Sequence, residues 1–363
     1  MAGEPLMPPI HLSVTYTYDV EGLLEGGWTG YSRESNPTVE ELEARLAALE
    51  GARWALAFNS GMAAITGLLL GVARGRRIIL ERLTYGSTRL LPPLLGLEAR
   101  LAGPPWDELL HEADSCSGGV VFVESMGNPT LRIPPLEELV GIASERGCLL
   151  VVDNTMATPA ALKPLKLGAA LVVESLTKYV VGHNDALGGS LAGLDPGLRA
   201  PIWEARRLTG TILQPFEAYL AIRGLETLEA RYRLQSATAL EVARWLEESG
   251  LVERVYYPCL ESHPDHARAQ RLLGGLCGGV LSFDVGTRER ALEALSRLRL
   301  VKPSASFGAT KPMAAYPYAS SHRSLPEEEK KRLGITPGLI RLSVGMASPQ
   351  EIIGDLERAL KTH

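Results

Sequence analysis

Cysteine is scarce in this chain: four residues in 363, Cys116, Cys148, Cys259 and Cys277, lie far apart and form no CxxC pair. Such spacing offers neither a disulfide framework nor a zinc cluster, and it predicts reduced thiols in a cytoplasmic protein. Charge of one sign is lacking too. Thirty-seven Lys and Arg against 42 Asp and Glu leave a net charge of -5. The chain therefore has no polyanion footprint, and nucleic acid is not an expected partner. Long hydrophobic runs are missing as well. The longest, Met62 to Ala73, falls short of the roughly 20 residues a membrane helix needs, so no membrane association is expected. Met1 to Ile10 is rich in proline and has no basic residue, unlike a secretory signal. No repeat or low-complexity segment is present.

What is present is an ordinary globular composition, 45% hydrophobic and 22% charged, in a chain too long for one core. Residues 1–40, with Pro5, Pro8, Pro9 and several glycines, read as an irregular arm. A helix is expected to open at Thr38, with Glu41 completing a capping box and Gly51 as its stop. Short apolar runs then alternate with helical stretches: Trp54–Phe58, Arg77–Leu80, Val120–Val123, Leu149–Val152 and Leu171–Val173, with a helix over Glu137–Arg146. This texture predicts an α/β domain over 41–226 whose parallel sheet is covered on both faces. Ligands gather at the carboxyl ends of such strands, where this sequence places Asn59-Ser60-Gly61, Glu124, Asp153 and Ser175. From 227 to 363 the pattern predicts a smaller α+β domain. A long helical stretch over Phe216–Ser249 leads into it, strands follow near Val280–Val285 and Leu339–Val344, and a Pro-rich passage runs from Pro303 to Pro326. Ser348 and Glu351 cap the last helix.

The segment Ser175-Leu176-Thr177-Lys178 carries the sharpest chemistry. A lysine straight after a buried strand can be desolvated into a nucleophile, and the two hydroxyls suit a phosphate. Asp153, 25 residues upstream, suits the counter-charge that keeps the ring nitrogen of pyridoxal 5′-phosphate (PLP) protonated. Ser60-Gly61-Met62 opens a helix whose first N–H groups can hold a phosphate. Taken singly, each has a bland reading: a solvated lysine, a capping aspartate, a common turn. Together they supply a Schiff-base lysine, a ring partner and a phosphate site. His263-x-x-His266 has metal-like spacing, but no acidic residue lies between the histidines in the metalloprotease pattern, and no metal is expected.

Ser175 to Asp185 resembles the lysine signature of the Cys/Met-metabolism family of PLP enzymes. So do Tyr31-Ser32-Arg33 with Asn36-Pro37-Thr38, Ser60-Gly61-Met62-Ala63, Tyr85-Gly86, Glu124-Ser125 with Asn128-Pro129, Asp153-Asn154-Thr155 and Arg341-Leu342-Ser343-Val344-Gly345. The resemblance covers nearly the whole chain. It implies an aspartate-aminotransferase-like fold (fold type I), with a PLP-binding domain and a small C-terminal domain. In the roles it implies, Lys178 joins the cofactor and moves protons, Asp153 meets the ring nitrogen, and Tyr85 stacks on the ring as a base. Gly61, Met62, Ser175 and Thr177 hold the phosphate; Tyr31 and Arg33 reach a neighbouring subunit's phosphate in a homotetramer built from two dimers. Arg341, with Ser306 and Asn128 nearby, clamps the substrate carboxylate. The activity implied is making or breaking a C–S bond at the γ-carbon of a sulfur amino acid, with cystathionine γ-lyase first. Cystathionine γ-synthase and homoserine-ester sulfhydrylases follow, then methionine γ-lyase, cystathionine β-lyase and aminotransferase. One departure bears on substrate. Relatives selective for cystathionine tend to carry Glu where this chain has Lys311, and a lysine there favours an anionic γ-substituent.

Overall fold

The apolar runs are continuous because both faces of the sheet they form are covered. A computed structural model of the protein describes residues 3, 5–25, 27–323 and 325–361. Seven strands, β1 (Trp54–Phe58), β2 (Ile78–Glu81), β3 (Ala99–Ala102), β4 (Val120–Glu124), β5 (Leu149–Asp153), β6 (Leu171–Glu174) and β7 (Gly189–Gly193), pair in the order β1-β7-β6-β5-β4-β2-β3. Successive side chains of a strand point to opposite faces. Ile79, Val121, Val123 and Val152 accordingly enter one core, while Ile78, Val120, Phe122 and Val151 enter the other. The sheet is mixed, not wholly parallel: β7 runs antiparallel to both β1 and β6. Its sequence, Gly-Ser-Leu-Ala-Gly, has no β-branched run to announce it. The edge strand β3 is also hidden in the sequence, because three of its four residues are only partly covered or exposed.

The second sheet joins β8 (Arg254–Tyr256), β9 (Val280–Asp284), β10 (Lys302–Pro303), β11 (Met313–Ala315) and β12 (Leu339–Ser343) in the order β10-β11-β12-β9-β8. Helices Leu228–Glu248, Arg288–Arg297 and Pro349–Leu360 pack with it, and the last has the expected Ser348–Glu351 capping box. The helical stretch expected over 216–249 is two helices, Pro215–Leu225 and Leu228–Glu248. The first long helix runs Pro37–Glu50 and is capped by Asn36, whose side chain accepts the Thr38 N–H at 3.0 Å. Thr38 is not its cap. The Thr38 hydroxyl accepts from the His11 N–H and donates to the Pro9 carbonyl, which ties the arm down. Proline at the first helical position explains the earlier start, since the N–H it lacks would have no helical partner. Among the described residues no helix is long and apolar enough to cross a membrane.

The cysteines correct the expectation of reduced thiols. Cys259 and Cys277 form a disulfide, with sulfurs 1.98 Å apart, whereas Cys116 and Cys148 are free and buried. Cys259 lies just after β8 and Cys277 just before β9, and these strands pair antiparallel. Strand pairing, which residue spacing does not reveal, brings the sulfurs together. Closing a loop of this size removes about 3 kcal/mol of chain entropy from the unfolded state. Replacing both cysteines by alanine is expected to lower the unfolding free energy by about that amount, read as a lower denaturant midpoint at unchanged slope. An unchanged midpoint would mean that the sulfurs are not joined in solution.

Candidate functional site

Four neighbouring strands of the large sheet end in carboxyls: Glu81 on β2, Glu124 on β4, Asp153 on β5 and Glu174 on β6. Such a row, out of water, cannot carry four charges. Burial pushes Glu81 up to about 8. Burial, and then neighbouring carboxylates, hold Glu124 and Glu174 well above the usual range. Asp153 is also raised by burial, but there the Thr155 hydroxyl (2.5 Å), the Thr155 N–H (3.0 Å) and the Lys178 charge pull the other way. Asp153 is thus the member of the row best supplied for ionisation. Glu174, by contrast, faces a second buried carboxyl, Glu50, which opposes its ionisation.

Lys178 follows β6 in a tight turn, its N–H bonded to the Ser175 carbonyl at 3.2 Å. Burial, then the Arg341 charge, holds its ammonium below the usual lysine range, with Asp153 opposing. A lysine so placed gives up its proton readily, the state a Schiff base requires. Its Nζ lies 5.5 Å from the centre of the Phe307 ring, and the Arg341 Cζ lies 5.2 Å from the same ring. Phe307 therefore stands beside both cations, a position that sequence reasoning missed. The loop that carries Phe307 is seated against the lysine turn by Gly308 (φ +78°), where a Cβ would meet the Tyr179 ring at 2.9 Å. Arg231 is a second missed residue: it donates to the Tyr179, Val180 and Gly224 carbonyls and buttresses the turn from below.

Around this centre the phosphate candidates converge. Ser60 caps the Gly61–Leu68 helix by accepting the Ala63 N–H, which leaves the Gly61 and Met62 N–H groups without a helical partner. A Cβ on Gly61 would touch the Ser175 Cβ at 3.0 Å, so the helix start and the lysine turn abut. The Thr177 hydroxyl is held by Gly188, donating to its carbonyl and accepting its N–H. A cleft of about 910 Å³ is lined by Asn59, Ser60, Thr177, Ser304 and Ser306 among others. Unpartnered N–H groups at a helix start, a depressed lysine and a supported buried carboxylate are what the phosphate, aldehyde and ring nitrogen of PLP require, and the residues fit that cofactor.

Arg341, on β12, is nine-tenths buried or more and donates to the Asn128 Oδ1 at 2.9 Å and to the Ala305 and Ser306 carbonyls at 3.1 Å. Tyr85 is half exposed, its N–H donated to the Glu124 carboxyl at 2.6 Å. Tyr31 and Arg33 are not brought to Lys178. They are exposed on the arm, stacked on each other, with Arg33 donating to the Arg207 carbonyl. Lys311 is exposed too. His263 and His266 each place a ring nitrogen against a backbone carbonyl, of Thr130 and Pro258.

The family model described as Cys/Met metabolism PLP-dependent enzyme matches residues 3–361. An O-succinylhomoserine sulfhydrylase of Pseudomonas aeruginosa is 39% identical over 91% of this chain and 83% of its own length. A cystathionine gamma-lyase of Bacillus subtilis is 35% identical over 97% and 93%. Among solved structures, cystathionine gamma synthase from Xanthomonas oryzae pv. oryzae, in complex with aminoacrylate and cysteine, superposes with a TM-score of 0.91, 33% identical over 98% of this chain and 92% of that one. A Campylobacter jejuni structure carrying N′-pyridoxyl-lysine-5′-monophosphate superposes at 0.93, 30% identical over 99% and 96%. Coverage from end to end by one family model, relatives above 30% identity and a matching fold lead to one conclusion: the chain belongs to the Cys/Met-metabolism family of PLP-dependent enzymes.

Proposed function

We propose that this enzyme exchanges or cleaves the γ-substituent of a four-carbon amino acid, and that its reaction is γ-replacement by a thiol on an activated homoserine. The observation that carries this reading is the clamp loop. Residues 303–311 supply the Ala305 and Ser306 carbonyls to Arg341 and contain no carboxylate, with Lys311 exposed at their end. A distal ammonium, as in cystathionine, finds no counter-charge in that loop, whereas a succinyl or phosphoryl group meets no repulsion. The sulfhydrylase relative at 39% identity points the same way. Cystathionine γ-cleavage, the reading placed first from the sequence, stays as the second. It is favoured by Asp185 and Glu217 in the cleft wall and by the γ-lyase relative.

Bound PLP supplies an electron sink for the charge left when a bond to the α-carbon breaks. The rest falls to side chains. Arg341 takes the α-carboxylate, held in place by Asn128 and the loop carbonyls. Lys178 carries protons at its Nζ between the α-, β- and γ-carbons. Asp153 would hold the proton at the ring nitrogen, and Tyr85 would stack on the ring. Tyr31 and Arg33, unused by their own cleft, are proposed to serve the phosphate of a second copy.

One incubation separates the readings. With O-succinyl-L-homoserine and sulfide, the enzyme is expected to release succinate and homocysteine. L-Cystathionine alone is expected to turn over at least about tenfold more slowly, the scale of one misplaced charge near a site. Release of α-ketobutyrate and cysteine from cystathionine at the higher rate would reverse the assignment.

A further inference from the structure

The substrate clamp has a back wall that none of its expected residues explains. His322 is only 1% exposed. It lies on the Pro-rich passage between β11 and β12, in a turn whose backbone it closes by donating its N–H to the Pro317 carbonyl. Its Nδ1 faces the Ser321 Oγ at 2.8 Å. Its Nε2 is buried with no hydrogen-bond partner within range, and the ring looks toward the backbone carbonyl of Asn128. The side chain of that same Asn128 accepts from Arg341, whose Nε is likewise buried and unpartnered. The preceding residue abuts the other side of the site: a Cβ on Gly86 would meet the Ser321 carbonyl at 2.9 Å, next to Tyr85.

Charge around the ring fixes its state. Arg89 approaches from the Gly86–Leu94 helix, Arg341 from β12 and Lys330 from the Glu327–Arg332 helix, and no carboxylate stands among the groups acting on it. Burial first, and then these cations, hold His322 far below its usual range, at about 3. A neutral imidazole whose Nδ1 accepts the Ser321 hydroxyl carries its proton on Nε2, facing the Asn128 carbonyl.

We propose that His322 is a positioning residue for the carboxylate clamp: its neutral ring props Asn128, and through Asn128 it aims the Arg341 guanidinium at an amino-acid carboxylate. This rests on the reading of Arg341 as the clamp. A buried polar atom left without its neighbour is costly, so removing the ring lets Asn128 and Arg341 relax from their shared geometry. Glutamine keeps a neutral N–H donor at a comparable reach; alanine does not.

The test uses the PLP-loaded enzyme and two probes, L-alanine and ethylamine, each followed by the change in the visible band of the cofactor. Ethylamine is the same amine without the carboxylate. His322→Ala is expected to weaken L-alanine about tenfold, the scale of one buried polar group left without its neighbour, and to leave ethylamine unchanged. His322→Gln is expected to recover most of the loss, and the wild-type pH profile of L-alanine binding to show no step from this histidine between pH 5 and 8. Equal weakening of both probes, or no weakening of either, would overturn the proposal. If His322→Ala does not fold, His322→Gln decides: it must bind L-alanine within a few fold of wild type, and a tenfold loss there overturns the prop. A wild-type enzyme that binds both probes alike would instead defeat the reading of Arg341 as a clamp.

Discussion

Lys178→Ala is expected to yield a colourless enzyme whose turnover is lower by about 10⁴-fold or more. The loss of one positioned acid–base group already reaches about 10⁴-fold, and in the proposed mechanism this lysine is also the covalent anchor. The structure explains why no neighbour substitutes. The other cations near the centre are Arg341, committed to Asn128 and two carbonyls, and Arg231, committed to three carbonyls under the turn. Neither can become a neutral amine. Lys178→Arg sharpens the test. Arginine preserves the positive charge opposite Asp153 but cannot serve as the nucleophile. If charge alone mattered, that variant would retain activity; if the amine matters, it is as inactive as alanine. Added methylamine, small enough for the vacated space, is expected to restore a measurable part of the turnover of Lys178→Ala and none of that of Lys178→Arg. Retention of the visible band and of turnover in both variants would show that the cofactor is anchored elsewhere.

The centre of the fold was legible because it is written in local code. β1, β4 and β5 lie where unbroken apolar runs predict them, since a sheet covered on both faces demands such runs. The row of site residues at their carboxyl ends follows from the same rule. What stayed hidden depends on contacts between distant segments. β7 is a Gly-Ser-Leu-Ala-Gly strand that exists because β1 and β6 flank it, and its reversed direction has no sequence signature. The Cys259–Cys277 bond is set by the pairing of β8 with β9. Phe307 reads as one more apolar residue until Lys178 and Arg341 are both seen against its ring. Asn36 and Thr38 both had capping chemistry, and only the approach of Pro9 and His11 shows which was free to use it. Lys311, given weight on its place in a motif, is exposed at the end of the loop that carries Phe307.

Asp153→Asn is expected to separate function from stability, moving them in opposite directions. The carboxyl row makes the argument. Glu81 and Glu124 share backbone contacts, with Glu81 accepting the Glu124 N–H at 2.8 Å, and burial pushes both, like Glu174, above the usual carboxylate range. Asp153 alone combines two donors from Thr155 with a nearby lysine. Asparagine in its place keeps the shape and loses the charge proposed to hold a proton at the ring nitrogen, and neighbours whose ionisation burial opposes cannot replace it. Turnover is expected to fall about 10²- to 10³-fold, the scale of removing one preorganised electrostatic contact, while the visible band persists because Lys178 is intact. Stability of the cofactor-free chain is expected to respond with the other sign. The folded-state pKa of Asp153 lies above its unfolded value, so the unfolded chain gives up this proton first. The native state therefore loses stability as pH rises from the ordinary carboxylate range through that raised value. Asparagine has no such proton, so the variant should match wild type at low pH and unfold at higher denaturant at neutral pH. A variant that is slower and also less stable at neutral pH would show that the Asp153 carboxylate is structural support for the strand end, not a charge kept there at a cost to the fold.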